Sequence, residues 1–164
     1  MNKEFQMKLL SLIERDSKLS ADELAQMLNC DAATVEAALA ELENEQVICG
    51  YHTLIDWDKT SADKVTALIE VRVTPQRGQG FDSIAERIYN YPEVRSVYLI
   101  SGAYDLMVIL EGKTLKEVSG FVSDKLSTLD SVLSTATHFI LKKYKDHGTI
   151  FERKTRDERM PVTL

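Results

Sequence analysis

Three features of the sequence predict an α+β chain of two modules. Residues 3–50 keep a helical period throughout, a polar, turn-rich stretch follows at 56–64, and from residue 65 strands and helices run in the order β-α-β-β-α-β. The first part, helix, short helix, tight turn and longer helix, has the layout of a helix-turn-helix, with a β-like run after it as a wing or exit strand. The second order packs as a ferredoxin-like domain: a four-stranded antiparallel sheet with both helices on one face.

Each element has its own signal. Phe5, Leu9, Leu12 and Ile13 fall on one face of a first helix. Ser20 and Glu23 form a capping box that opens a short helix with Leu24, Met27 and Leu28 inward. Asn29 and Cys30 make the tight turn, and Asp31 caps a third helix whose inner face is Val35, Ala38, Leu39 and Leu42. Residues 47–55 are β-like. In 65–73, Ala67, Ile69, Val71 and Val73 alternate with Thr66, Leu68, Glu70 and Arg72, the mark of a strand. A loop at 75–80 precedes a helix on Phe81, Ile84, Ala85 and Ile88. Strands are expected at 94–100 and 104–110 about a Ser101-Gly102-Ala103 turn. A second helix follows on Leu115, Val118, Phe121, Val122 and Leu126, then a final strand region at 132–144. The expected boundaries are therefore 1–52 for the helix-turn-helix, 53–64 for a linker, 65–146 for the ferredoxin-like domain and 147–164 for a charged tail.

Composition narrows the function. Apolar residues are 44% and charged residues 28%, which suits a globular chain. The net charge of -6 removes the usual whole-chain electrostatic argument for nucleic-acid binding and leaves only local charge to decide it. No apolar run of membrane-spanning length or secretory signal stands out, so a cytoplasmic protein without membrane contact is expected. Two cysteines, Cys30 and Cys49, are too few for a disulfide scaffold or a zinc site and are expected to be packed thiols. His52, His138 and His147 are scattered, with no nucleophile elbow, phosphate loop or metal-spaced cluster. The sequence therefore argues against an enzyme, a metal or a cofactor.

Three local signatures carry a family resemblance. They are Leu42-Glu43-x-x-x-Val47-Ile48-x-Gly50-Tyr51, Val97-x-x-x-Ser101-Gly102-x-Tyr104-Asp105-Leu106, and Val132-x-x-Thr135-x-Thr137-x-x-Ile140-Leu141-Lys142-x-x-Lys145. With the two-module layout, these make the chain resemble the Lrp/AsnC family of bacterial and archaeal transcription regulators. The resemblance implies a homodimer, often built on to an octamer, that binds a small effector, usually an amino acid, between subunits. It places effector binding at Gly102, Ala103, Tyr104, Asp105, Thr135 and Thr137. Chemistry agrees: Gly102 would let N–H groups converge on a carboxylate, Asp105 would accept from an ammonium, and the threonines would supply a hydroxyl. An ordinary β-hairpin accounts for the same turn residues. One-sided helix cover would also leave an apolar sheet face to bury against a second copy, with Ala67, Ile69, Val71, Tyr98, Ile100, Val108 and Leu110 supplying the two faces.

The reading helix is unusual. No Lys or Arg stands between Lys18 and Lys59, whereas nine acidic residues do. Its outer face is expected to be Ala33, Glu36, Ala37, Ala40, Glu41 and Asn44, where the family resemblance implies several cations. The candidate DNA-contacting set is Lys18, Ala33, Thr34, Glu36, Ala37, Ala40 and Glu41, with the helix N-terminus able to hold one phosphate. Lys142, Lys143, Lys145, Arg153, Lys154, Arg156 and Arg159 form a more basic group in the other module. Two readings follow: a DNA-binding regulator modulated by an amino acid, or a ligand-sensing oligomer whose acidic helix has lost DNA and docks a protein partner.

Overall fold

The structure, a computed structural model, describes residues 2–74 and 80–151. The chain divides into two compact units between Leu54 and Ile55. Most of the 75–80 loop, and Arg153, Lys154, Arg156 and Arg159 of the tail, lie outside the described residues.

The first unit is three helices, α1 (Lys3–Arg15), α2 (Ala21–Leu28) and α3 (Ala32–Asn44). Each is stopped and started by side-chain chemistry. The Asn2 side chain accepts from Glu4 N–H, the Ser20–Glu23 capping box closes in both directions, and both carboxylate oxygens of Asp31 accept from Thr34, one from its N–H and one from its hydroxyl, each at 2.7 Å. The tight turn is a Schellman closure: Asn29 sits at φ 56°, and Cys30 N–H donates to the Ala25 carbonyl. The core is Leu9, Leu24, Ala25, Val35, Ala38 and Leu42. Met27, expected inward, is 57% exposed. The inner stripe of α2 runs through Leu24, Leu28 and Ala25, and Met27 falls beyond its edge.

The β-like run at 47–55 forms no strand. A second Schellman closure ends α3: Gln46 at φ 57° donates to Glu43 O, and Val47 N–H donates to Leu42 O at 2.9 Å, an acceptor shared with Ile48 N–H. The first N–H groups of the run are thereby consumed, and among the described residues of this unit there is no strand for the rest to pair with. Val47, Tyr51 and Leu54 stay exposed. Cys49 is exposed rather than packed, and Cys30 is half-buried; both are free thiols.

The second unit is a sheet of β1 (Val65–Val73), β2 (Val94–Leu99), β3 (Leu106–Gly112) and β4 (Val132–Phe139), in the order β2-β3-β1-β4 with antiparallel neighbours. Helices α4 (Asp82–Tyr89) and α5 (Leu115–Phe121) cover one face, and α5 widens into a π turn at 122–126. Alternation along β1 does what the sequence predicts: Ala67, Ile69, Val71 and Val73 are buried, facing Leu106, Val108 and Leu110 of the same side and Ile84, Ile88, Val118 and Phe121 of the helices. Tyr91 meets Phe121 edge-on at 5.2 Å. The other face is mixed, with Leu68, Met107, Ile109, Ala136 and Tyr98 beside Glu70, Arg72, Glu111 and His138. Five of the seven residues expected to serve both faces (Ala67, Ile69, Val71, Val108 and Leu110) therefore lie on the helix side alone.

Four strand boundaries differ from expectation, the end of β2 at Leu99 and the end of β3 at Gly112 among them. β3 begins at Leu106, because Tyr104 and Asp105 are drawn into the turn, and β4 ends at Phe139. Beyond it, β5 (Lys145–Asp146) and β6 (Thr149–Ile150) make a small hairpin, and Phe151 N–H closes on Tyr144 O at 3.1 Å. The 56–64 stretch holds a short 3-10 turn at Trp57–Lys59.

Two outcomes follow from this construction. Gln46 holds a left-handed conformation that strains a side-chain-bearing residue, so Gln46→Gly is expected to raise stability by about 0.5–1 kcal/mol in chemical denaturation. Glu23, bonded by the Ser20 N–H and hydroxyl, and Asp31, bonded by the Thr34 hydroxyl and N–H, are held below their ordinary values. Their folded forms resist protonation more than the unfolded chain does. The caps therefore contribute fully above the ordinary carboxylate range and are lost as pH falls through the lowered folded values, which an acid titration of helicity in Glu23→Gln and Asp31→Ala variants would show as a smaller acid-dependent loss.

Candidate functional site

The turn from β2 to β3 is built on an irregular rung. Ile100 N–H donates to Asp105 O at 2.9 Å, and Asp105 N–H donates to Val71 O at 3.1 Å. In that register the next antiparallel rung would join Val73 N–H to the Ala103 carbonyl. Two side chains take those groups instead. Asp105 Oδ2 accepts from Val73 N–H at 2.9 Å, and Arg72 donates to Ala103 O through Nε at 3.2 Å and Nη2 at 2.6 Å. The same guanidinium lies 5.5 Å from the centroid of the Tyr104 ring. On the far side of β1 the pairing with β4 shifts between Arg72 and Val73, so the strand is irregular on both edges at one point.

Ala103 and Tyr104 are thus gathered around Arg72, and Asp105 is fastened to Val71 and Val73 beside it; the sequence places Arg72 only on one alternating side of a strand. The available signal was a cation at the end of an apolar strand, two residues before the loop. Gly102 plays a different part from the one expected. Its φ is not left-handed, and a Cβ there would meet nothing within 4 Å, so neither a positive-φ turn nor a close approach requires glycine. Asp105 is not free to meet an ammonium with both oxygens, since one is engaged by the backbone. Thr135 and Thr137 pair with Val71 and Ile69 and so face the helix side of β4, two strands from the turn, which is about 10 Å at ordinary strand spacing. Thr135 is at the turn's end of the sheet; Thr137 is one pair further in.

In the first unit, Ala33, Thr34, Glu36, Ala37, Ala40 and Glu41 all lie on the exposed face of α3, and Lys18 is exposed before α2. Thr34 is already engaged by Asp31, whose carboxylate also occupies the N-terminus of α3 where a phosphate was expected. Further along, Tyr51 donates its hydroxyl to Glu43 at 2.8 Å, and burial together with that carboxylate pushes the phenol upward.

The remaining titratable groups do not converge on the turn. His138 Nε2 lies 3.3 Å from Glu70 Oε2 on the open sheet face, and His147 lies 2.9 Å from Asp146 in the terminal hairpin. Between β3 and α5 is a groove of about 430 Å³ lined in part by Leu110, Val118 and Phe121. There Lys125 pairs with Glu93 at 2.6 Å, a bond that holds the glutamate below its ordinary value. Among the described residues no group of three or more His, Cys, Asp or Glu is placed to hold a metal, and no helix is long and apolar enough to cross a membrane.

A capped three-helix unit joined to a one-sided four-stranded sheet module has the layout of a helix-turn-helix followed by a ferredoxin-like domain. Residues 66–150 match the Lrp/AsnC ligand binding domain and residues 3–48 match a winged helix-turn-helix DNA-binding domain. The chain belongs to the Lrp/AsnC family of transcription regulators. It is 49% identical over 156 residues to the HTH-type transcriptional regulator YugG of Bacillus subtilis, covering 94% of each chain. It is 32% identical over 139 residues to the HTH-type transcriptional regulator PF1734 of Pyrococcus furiosus, covering 85% of this chain and 90% of that one. The fold is shared with AsnC of E. coli at a TM-score of 0.66 and 16% identity, covering 87% of this chain and 94% of that one. The matched relatives are regulators, not enzymes.

Removing the Asp105 carboxylate would strand the Val73 N–H. Asp105→Ala is expected to cost about 1–3 kcal/mol in urea unfolding, and Asp105→Asn, which keeps an acceptor, to recover most of it.

Proposed function

We propose that this chain is a DNA-binding regulator whose affinity is set by an amino acid bound at the 102–105 turn between subunits of a homodimer that assembles on to an octamer. The observation that carries the reading is the turn itself: in the ligand-binding module, a guanidinium, a carboxylate and a tyrosine ring meet at the open end of the sheet. An α-amino acid presents a carboxylate and an ammonium to groups of this kind. Gly102, Ala103, Tyr104 and Asp105 form the contact edge, with Thr135 and Thr137 about 10 Å away on β4. One structural neighbour, a transcriptional regulator from Neisseria meningitidis, is described as an L-Met complex, with 21% identity and a TM-score of 0.70 over 89% of this chain and 93% of that one. L-methionine is therefore the first effector to try.

Self-association has its own support. The uncovered sheet face holds Leu68, Met107, Ile109 and Ala136 within a charged border, a composition that suits burial against a second copy.

DNA reading rests on the exposed face of α3, which has no cation of its own, and on Lys18 before α2. Each neutralised phosphate contributes a slope of about -0.9 in log affinity against log salt, so this face adds little non-specific attraction. Half-sites that are weak singly gain through multivalency in an oligomer. Mobility shift against the DNA upstream of its own gene, titrated with salt, is expected to show binding with a slope shallower than -4. Glu36→Lys with Glu41→Lys is expected to steepen it by about 2 per subunit engaged. Absence of any binding at low salt would contradict the DNA reading. Calorimetric titration with the twenty amino acids tests the effector reading, and no heat at millimolar ligand would contradict it.

A further inference from the structure

In the effector reading the Arg72 guanidinium is among the groups at the turn but has no contact of its own. It directs two donors at a single neutral oxygen, the Ala103 carbonyl, at 3.2 and 2.6 Å. Among the described residues no carboxylate is in ion-pair reach of it: Asp105 turns one oxygen to Val73 N–H, and Glu70, two residues earlier on the same face, has an oxygen 3.3 Å from His138. The planar fork of a guanidinium matches two acceptor atoms, and bonds to an ionised acceptor are roughly twice as strong as neutral ones. The present arrangement therefore satisfies Arg72 poorly, with one acceptor where two fit and no charge to meet its own. The side chain is exposed, and the Tyr104 ring at 5.5 Å backs it, so the fork is reachable and partly pre-oriented.

We propose that Arg72 is the carboxylate receptor of this site, and that an arriving α-carboxylate takes its guanidinium from the Ala103 carbonyl and releases the turn at 101–104. The inference rests on the effector reading and deepens it. Release would stop at Asp105, which holds β1 twice, by its N–H to Val71 O and by its carboxylate to Val73 N–H. Ligand occupancy is thereby converted into a local change at the rim of the sheet, with the core strand held still.

The test uses the full chain. Each of the twenty L-amino acids is titrated calorimetrically, and any that binds is repeated as its α-amide, which keeps the side chain and ammonium but lacks the carboxylate. The expected result is binding by the acid and loss with the amide. Arg72→Gln is expected to weaken the acid by about 10- to 100-fold, and Arg72→Lys, which keeps charge without the fork, to fall between. Far-UV circular dichroism and oligomer size should be unchanged in both variants. In the wild-type chain the Arg72 Nε–H resonance should shift with the acid and stay in place with the amide, a readout that needs no variant to fold. Equal affinity in wild type and Arg72→Gln, or equal binding of acid and amide, would overturn the role of Arg72 and leave the effector reading standing. No binding of any amino acid would overturn both.

Discussion

The exchange of one backbone rung for two side-chain bonds at the end of β1 is the interaction on which the second module depends. Val73 N–H goes to the Asp105 carboxylate and the Ala103 carbonyl goes to Arg72. A buried or half-buried N–H without a partner costs about 1–3 kcal/mol, so the aspartate at this position has a structural role before any ligand is considered. The same exchange moves the start of β3 to Leu106 and turns Tyr104 toward the guanidinium. Below it, the inner side of β1 from Ala67 to Val73 is closed by both helices, and that core is what keeps the irregular end in one place. The regular core and the irregular end therefore sit on one strand, a few residues apart.

The first module is held differently. Its six-residue core is small, and much of its definition comes from helix ends: three side-chain N-caps and two Schellman closures. The cost of this arrangement is visible at Gln46, a residue ill-suited to its conformation. The outer face of α3 is free of side chains that the fold needs, apart from Thr34, so its acidity is not required by packing. With the adjoining Glu43 and Glu45 it makes an acidic surface in which Ala33, Ala37 and Ala40 are the small side chains.

Much of this was legible in the sequence, and for definite reasons. Alternation in 65–73 and the caps at Ser20 and Asp31 are local signals, and each element they imply is present. What was illegible depended on non-local bonds. The run at 47–55 has strand composition, but its first N–H groups are consumed by the Leu42 carbonyl. The sequence lets Gly102 supply a permissive backbone, and the wide turn makes no use of it. Thr135 and Thr137 look close to the turn by motif order, yet strand order puts β1 between them. Arg72 was unremarkable in sequence because its significance arises only when the fold brings the Ala103 carbonyl within reach of its guanidinium.

The account stands most directly on the Val73 amide, which lies outside the regular ladder and is satisfied by a side chain alone. Residue-resolved hydrogen exchange on the unliganded wild-type protein measures it. Val73 is predicted to exchange slowly, in company with Ile69 and Val71 of the same strand. Exchange at the rate of an unprotected loop amide would mean that Asp105 does not close the end of β1, and the turn would have no anchor from which to respond.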